Sequence, residues 1–314
     1  MAEESVFLSI AHSQAFKRWD KAAINEVARV RVPGAILGEH REIVLADIKR
    51  QWATWFIESI GDPARYIACS AGYALIYGDV AREVKRRLPY ATKEQHAELT
   101  SCVARIIHAR VKRAADKKSR VVEDVATRRM LLDFSGNPPR CWICGAAFHD
   151  SAIDSFLDRG IYSISLPPII DFLKPRGLSS ADYRVEIDHL EPYHEGGERD
   201  ENLALACGFC NRYKGGYGSI YDVSGRPIPA GVRLPFISSL PQLFWVIRSL
   251  AVIGVCEHEA GCGANKFNSH LTIAPISSSG AMNPTNMKVT CYEHDSLQEN
   301  RFMKRKTAER LWSR

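Results

Sequence analysis

The stretch at residues 185–215, VEIDHLEPYHEGGERDENLALACGFCNRYKG, decides how the centre of this chain folds. Its first residues alternate apolar and polar side chains as a half-buried β-strand does, which predicts a strand that delivers Asp188 and His189 to its end. A proline and a pair of glycines follow within the next eight residues and predict a loop.

A second strand and a helix are expected after this loop. Residues 203–206 are apolar and suit a partner strand, and the pattern Cys207-x-x-Cys210 then opens a short helix that runs to Lys214 and ends at a glycine pair. Strand, loop, strand and helix together would bring the Asp-His pair close to Asn211.

These three side chains have the chemistry of a hydrolytic metal site. A carboxylate and an amide oxygen are hard ligands, so Asp188 and Asn211 are candidate ligands of a catalytic Mg²⁺ or Mn²⁺. An imidazole beside such an ion can take a proton from an attacking water molecule, which is the role expected of His189.

Four of the nine cysteines form two C-x-x-C pairs, Cys141/Cys144 and Cys207/Cys210. Four thiolates can close a tetrahedral zinc site, and a closed site is structural rather than catalytic. Cys69 and Cys102 stand alone in helical surroundings, and we expect them to be core thiols.

In order and spacing, the segment at 141–215 resembles the HNH (ββα-metal) endonuclease family in its zinc-stapled form with four cysteine ligands. The resemblance implies that Asp188 is a metal ligand and that His189 is the general base. It also implies that Asn202 is the middle motif residue, which holds the loop and the histidine in place, and that Asn211 is the second metal ligand.

Residues 256–295 repeat parts of this pattern. His270 is interpreted as the counterpart of His189, with Ser269 in the place of the metal-binding aspartate, so we expect a degenerate ββα module that holds zinc and does not cut. The four expected zinc ligands are Cys256, Cys262, Cys291 and His294.

Two alternatives stay open for this second module. His258 is a rival zinc ligand, and a catalytic second site would use His270, Asn286 and Asp295.

The formal net charge is +6, and it is concentrated in the first part of the chain. Residues 1–137 carry 23 Lys and Arg against 17 Asp and Glu, whereas the remaining residues carry 19 of each. The most basic stretch is 105–129, which is expected either to track phosphates or to form a solvated helix face. The candidate nucleic-acid contacts are Lys112, Arg113, Lys117, Lys118, Arg212 and Lys214; the last two could instead cover their own helix.

The pattern predicts an α+β chain that starts with an all-α domain at 1–136 for recognition or partner binding. The nuclease module follows at 137–217, with an insert at 148–185 that either contacts a partner or substrate or pads the zinc core. Short helices are expected around 152–157 and 169–173 within the insert. A connector that is irregular at 217–241 and then forms an apolar helix occupies 218–254, and the degenerate module with a basic tail occupies 255–314.

The function expected from these patterns is DNA cleavage by a metal-dependent nuclease, in a restriction-like or antiphage role. Its cofactors would be a catalytic Mg²⁺ or Mn²⁺ and about two structural zinc ions. A non-catalytic zinc protein that binds nucleic acid, and a toxin or ribonuclease controlled by a partner, are the alternatives. We expect a cytoplasmic protein with no export signal and no membrane role; RNA as substrate, and a homodimer or protein partner through the helical domain, stay open.

Overall fold

The computed structural model describes residues 20–29, 32, 34–116, 123–160, 162–190, 203–234 and 237–313. Helices occupy the first part of the described chain, as expected. In chain order they are α1 (Lys21–Arg29), α2 (Arg41–Ile60), α3 (Pro63–Ala68), α4 (Tyr73–Arg87), α5 (Lys93–Asp116) and α6 (Val125–Phe134).

The helical region has its own apolar core between α4 and α5. Ile76, Val80 and Val84 recur every four residues along α4, so they share one face, and all three are fully buried. Ile107 of α5 belongs to the same buried cluster, and the backbone at Gly61 lies so close to it that an added Cβ would come within 2.9 Å of its Cδ1. The helices are therefore held by an amphipathic interface rather than by helix propensity alone.

The second part of the described chain mixes short strands and helices. They are α7 (Asp150–Phe156), β1 (Ile169–Asp171), β2 (Val185–His189), β3 (Leu203–Cys207), α8 (Gly208–Lys214), β4 (Ile228–Leu234), β5 (Ile237–Leu240), α9 (Leu243–Ile253), β6 (Leu271–Pro275), β7 (Met287–Cys291), β8 (Phe302–Lys304) and α10 (Arg305–Trp312). The strands form four antiparallel pairs, β1–β8, β2–β3, β4–β5 and β6–β7. The mixed architecture with helices first is as expected.

Two expectations for the stretches around residues 185–215 were wrong. The helix expected around 169–173 is instead strand β1, which pairs with β8 more than 130 residues away, so no local pattern could show its partner. The irregular connector at 217–241 instead contains the β4–β5 hairpin. The short helix around 152–157 and the apolar helix near 242–252 are confirmed as α7 and α9.

The helical region is fastened to the second part by buried polar contacts. Asp47 of α2 is 1% exposed, accepts a hydrogen bond from the backbone N–H of Ile220 at 2.9 Å and pairs with Arg248 of α9 at 2.6 Å. His40 similarly contacts Glu257 at 2.9 Å. Leu131 of α6 belongs to the larger buried cluster, together with residues of β3 and α9, so packing does not divide at residue 136.

The expectation that Cys69 and Cys102 are core thiols was wrong, because both are exposed. In the described part of the chain, no helix combines the length and apolarity that crossing a bilayer needs.

A fully buried arginine joins the insert to the C-terminal part. Arg301 is 0% exposed and pairs with Asp171 of β1 at 3.0 Å and with Asp295 at 2.7 Å. Its backbone carbonyl also accepts the N–H of Phe172 at 3.0 Å. Two carboxylates at one guanidinium make this group a structural crosslink between distant segments.

Arg301→Met should lower the free energy of unfolding by about 3–5 kcal/mol, because it leaves two carboxylates buried without their counter-charge. Urea denaturation followed by circular dichroism measures this, with Arg310→Met on the exposed face of α10 as the matched control. Equal midpoints for the two variants would contradict the crosslinking role of Arg301.

Candidate active site

The β2–β3 hairpin places the Asp-His pair at the end away from the cysteines. Val185 lies opposite Cys207 in the register, and His189 lies opposite Leu203. Helix α8 begins directly after β3, so the hairpin and the helix form one continuous strand–strand–helix unit.

Asp188 is held by two different donors. It is 7% exposed, and its Oδ2 accepts a hydrogen bond from the indole Nε1 of Trp142 at 2.9 Å. The Nζ of Lys214 lies 2.7 Å from Oδ1 and 2.8 Å from Oδ2. The carboxylate therefore has a fixed direction and already faces a positive charge.

Asn211 lies on α8, one helical turn before Lys214 and on the same face. Its Nδ2 donates to Oε2 of Glu186 at 2.6 Å. Glu186 and Asp188 are two residues apart on β2 and so share a strand face, which lets one helix face meet both carboxylates. With its amide N–H held by Glu186, the atom of Asn211 left for a cation is the carbonyl oxygen, as a metal ligand requires.

His189 is the last residue of β2 and is half-buried. Its backbone carbonyl accepts a hydrogen bond from Nζ of Lys214. Asn202 and His194 lie outside the described residues, so the role of Asn202 stays a prediction.

Two residues of this site were missed by reasoning from the sequence. Glu186 could have been found, because a polar residue two positions before Asp188 must lie on the same strand face. Trp142 could not, because nothing in the local pattern of the first cysteine pair indicates contact with a residue 46 positions later.

The four cysteines expected to bind zinc lie together. Cys141, Cys144, Cys207 and Cys210 are all 0% exposed, and their sulfur atoms lie within 4.8 Å of one another. Burial raises the pKa values of Cys141 and Cys210, whereas hydrogen bonds from neighbouring thiols lower those of Cys144 and Cys207. Four buried sulfurs at this spacing fit a tetrahedral metal ion, with zinc as the ordinary choice for this donor set.

The cysteine cluster joins the turn at residues 141–146 to the β2–β3 hairpin. In this turn, Cys141 donates its N–H to the carbonyl of Ala146 at 2.9 Å, and Trp142 donates its N–H to the carbonyl of Leu205 in β3 at 2.9 Å. Gly145 adopts φ +70°, and an added Cβ there would collide with the backbone of Ser269. The turn therefore needs glycine for both conformation and close approach.

The segment with this geometry matches a known protein family. Residues 175–216 match the family model described as HNH endonuclease. This segment is an HNH endonuclease domain. No curated protein and no solved structure matches the chain.

The C-terminal hairpin shares the cysteine register and one backbone hydrogen bond with the HNH hairpin. Leu271 lies opposite Cys291 in β6–β7, as Val185 lies opposite Cys207 in the HNH hairpin. Glu257, the residue after the first cysteine, donates its N–H to Val289 at 2.9 Å, matching the bond from Trp142 to Leu205. In place of α8 there is only a single 3-10 turn, Tyr292–His294.

The second predicted group of zinc ligands is also brought together: one donor atom each from Cys256, Cys262, Cys291 and His294 lies within 4.8 Å of the others. The ring of His258 stacks on that of His294 with centroids 3.9 Å apart, and His258 is not in the group.

The expected correspondence between His270 and His189 was wrong. Counting from the cysteine pairing, the HNH positions 188 and 189 correspond to Ala274 and Pro275, which have neither a carboxylate nor an imidazole. His270 precedes β6, whereas Asn286 precedes β7 at the other end of the hairpin, six residues or roughly 20 Å along the strand at about 3.4 Å per residue. Asp295 is paired with Arg301. The rival catalytic set is therefore not assembled.

Asn286 shows what an asparagine does five residues before the third cysteine. Its Nδ2 donates to the carbonyls of Ser277 at 3.0 Å and Ala281 at 3.2 Å, and its Oδ1 accepts the N–H of Ser277 at 2.8 Å. It closes the loop between β6 and β7. Asn202 stands at the same distance before Cys207 in the HNH segment.

The residues expected to contact nucleic acid are scattered. Lys112 is exposed on α5; the side chain of Arg113 and both Lys117 and Lys118 lie outside the described part. Arg212 pairs with buried Asp182, and Lys214, at 12% side-chain exposure, pairs with Asp188.

The purified protein should contain about two zinc ions per chain, one in each group of ligands. Cys207→Ser should remove the HNH zinc and unfold the HNH segment, because a structural zinc contributes folding free energy directly. Metal analysis measures the loss of zinc and circular dichroism measures the unfolding. Cys102→Ser, at an exposed position of α5, is the control. A wild-type protein without zinc would contradict the assignment of both sites.

Proposed function

We propose that the HNH segment is a metal-dependent endonuclease that hydrolyses phosphodiester bonds of DNA. The family match supports nuclease activity in general. The observation that carries the finer proposal is the coincidence of that match with a buried carboxylate, Asp188, which is fixed near the end of β2 and paired with Lys214 of α8, while Asn211 of the same helix contacts Glu186.

The site fits a hard divalent cation. Asp188 offers oxygen ligands in a buried position, and the contact between Asn211 and Glu186 leaves the amide oxygen of Asn211 for a cation. Lys214 pairs with this carboxylate, so a divalent cation would have to displace its ammonium group from Asp188. Mg²⁺ or Mn²⁺ held by Asp188 and Asn211 would stabilise the charge that develops on the phosphate and on the leaving oxygen.

We assign the remaining roles in the reaction to side chains of the protein. His189 follows Asp188 directly and is proposed to accept the proton of the attacking water. Trp142 keeps the Asp188 carboxylate in one orientation, so the site is pre-organised before the substrate arrives. We assign Asn202 the loop-closing role, supported by the contacts of Asn286 in the parallel hairpin.

DNA is the proposed substrate, and the basic stretch 105–129 is proposed to help hold it. The part of the chain that follows residue 137 has as many acidic as basic residues, so a polyanion needs positive charge from elsewhere. The basic side chains of Arg105, Lys112 and Arg129 are exposed in the described part of this stretch, which supports the idea. A restriction-like or antiphage role in the cytoplasm is the setting we propose.

His189→Ala should lower the rate of cleavage by roughly 10²- to 10⁴-fold, because it removes the general base and no structural ligand. Nucleic-acid affinity and zinc content should stay unchanged. The assay uses plasmid DNA and, separately, RNA, each with Mg²⁺, Mn²⁺ or EDTA, and His96→Ala on α5 is the control. A His189→Ala protein that cuts plasmid at the wild-type rate would rule out this base, and cleavage of RNA alone would replace the substrate.

Trp142→Phe should weaken Mn²⁺ binding by about 10- to 100-fold, the usual effect of losing a group that orients a metal ligand. The phenylalanine keeps an aromatic ring beside Lys214 but cannot donate to Asp188. Electron paramagnetic resonance of free Mn²⁺ measures the affinity without any substrate, and Trp52→Phe on the exposed face of α2 is the matched control. Unchanged Mn²⁺ affinity in Trp142→Phe would show that this hydrogen bond does not position Asp188.

A further inference from the structure

Helix α2 carries apolar side chains on its inward and its outward side. The inward side reaches both cores, because Ile43 lies in the larger buried cluster and Ile60 in the smaller one. Asp47, one turn after Ile43, is tied to Ile220 and Arg248 by the buried contacts described above. The helix is therefore held firmly, and its outward side is presented on a rigid support.

The outward side is a row of large apolar side chains, which we call the α2 stripe. Its members are Leu45 (41% exposed), Trp52 (58%), Trp55 (58%) and Phe56 (40%). Leu45 and Trp52 are seven residues apart, and the two other aromatic residues follow three and four positions later, so all four share one side of the helix. None of the four belongs to either buried cluster of the described residues. A helix that is apolar all round is usually covered all round.

The size of the α2 stripe suits a protein interface. Its four side chains expose roughly 400 Å² of largely apolar surface per chain, taking a tryptophan side chain as about 250 Å². An interface of standard size buries about 800 Å² per partner, and somewhat more than half of that area is apolar. The stripe therefore supplies most of the apolar area that a stable dimer needs. Tryptophan is also enriched among the residues that dominate the binding energy at the centre of interfaces.

The charges around the α2 stripe favour a second copy of the chain over a polyanion. The exposed charged residues of α2 are Arg41, Glu42, Lys49 and Glu58, two of each sign. Arg87 and Arg110, which reach the end of this helix, are each paired with a glutamate. A surface for nucleic acid or for anionic lipid needs an excess of positive charge. A rim with both signs can instead match itself, because a twofold axis brings the same patch of two copies together.

We propose that the α2 stripe is the interface through which two copies of this chain form a twofold-symmetric dimer. Trp52 and Trp55 lie at its centre and pack against the stripe of the second copy. The helical region thereby has a task in assembly, which the sequence left open between recognition and partner binding. The inference does not depend on the proposed nuclease activity.

The full-length protein should sediment as a dimer at micromolar concentration and dissociate on dilution. Trp55→Glu should raise the dissociation constant of the dimer about 100- to 1000-fold, because it places a charge at the centre of the interface on both copies. Analytical ultracentrifugation over a concentration series measures the constant. Tyr90→Glu is the matched control, because Tyr90 is 99% exposed in the turn between α4 and α5 and lies outside the stripe. Circular dichroism checks that both variants keep their helices.

Hydroxyl-radical footprinting of the unmodified protein gives a second measurement that needs no variant. Oxidation of Trp52 and Trp55 should fall as the protein concentration passes through the dissociation constant, while oxidation of Tyr90 stays the same. A wild-type chain that remains monomeric overturns the proposal, and tryptophans protected in that monomer would assign the stripe to another segment of the same chain. A dimer that Trp55→Glu leaves intact also overturns it, as does a Trp55→Glu protein that loses nucleic-acid affinity but keeps its dimeric mass.

Discussion

The convergence of four buried cysteine sulfurs is the constraint on which the rest of the HNH segment depends. Cys207 ends β3 and precedes the first residue of α8, so fixing this sulfur fixes the angle between strand and helix. That angle decides whether Asn211 and Lys214 meet the face of β2 that carries Asp188. The opposite pair, at Cys141 and Cys144, brings Trp142 to the same carboxylate. The structural site and the candidate active site thus share one scaffold.

The C-terminal hairpin shows how the same scaffold can be kept while the catalytic groups are absent. Its cysteine pairing and the N–H bond from Glu257 to Val289 match those of the HNH hairpin. Ala274 and Pro275 stand where a carboxylate and an imidazole would be needed. The hairpin keeps its backbone conformation without the carboxylate and the imidazole, because the metal-type ligands, and not the active-site side chains, determine that conformation.

Contacts between distant segments make the described parts of the second half interdependent. The β1–β8 pair and the ion pairs of Arg301 join the insert to the C-terminal module. The contact between Lys174 and His270 adds a second link between the same two parts. On the helical side, Asp47 joins α2 to α9 through Arg248. Buried charges paired in this way favour one arrangement over alternatives, since any other would leave a charge unpaired.

The local sequence pattern was enough to predict the strand–strand–helix unit, the helical character of the described residues before 135 and the two groups of metal-type ligands. In each case the signal lies within a few residues: alternation along β2, a cysteine pair opening α8, or apolar residues four apart on α4. The same local reasoning misplaced β1, the β4–β5 hairpin and the counterpart of His189.

Those features depend on pairings that no local pattern encodes. Strand β1 exists because β8 supplies its hydrogen bonds, and the position of His270 follows from the register of β6 against Cys291 and from its contact with Lys174 on another segment. Trp142 reaches Asp188 only once the cysteines have closed the turn against β3. Residue types and their spacing thus determined the chemistry available at the site. Long-range contacts decided which side chains orient the catalytic groups, because the loop-closure entropy of such contacts depends on the whole fold.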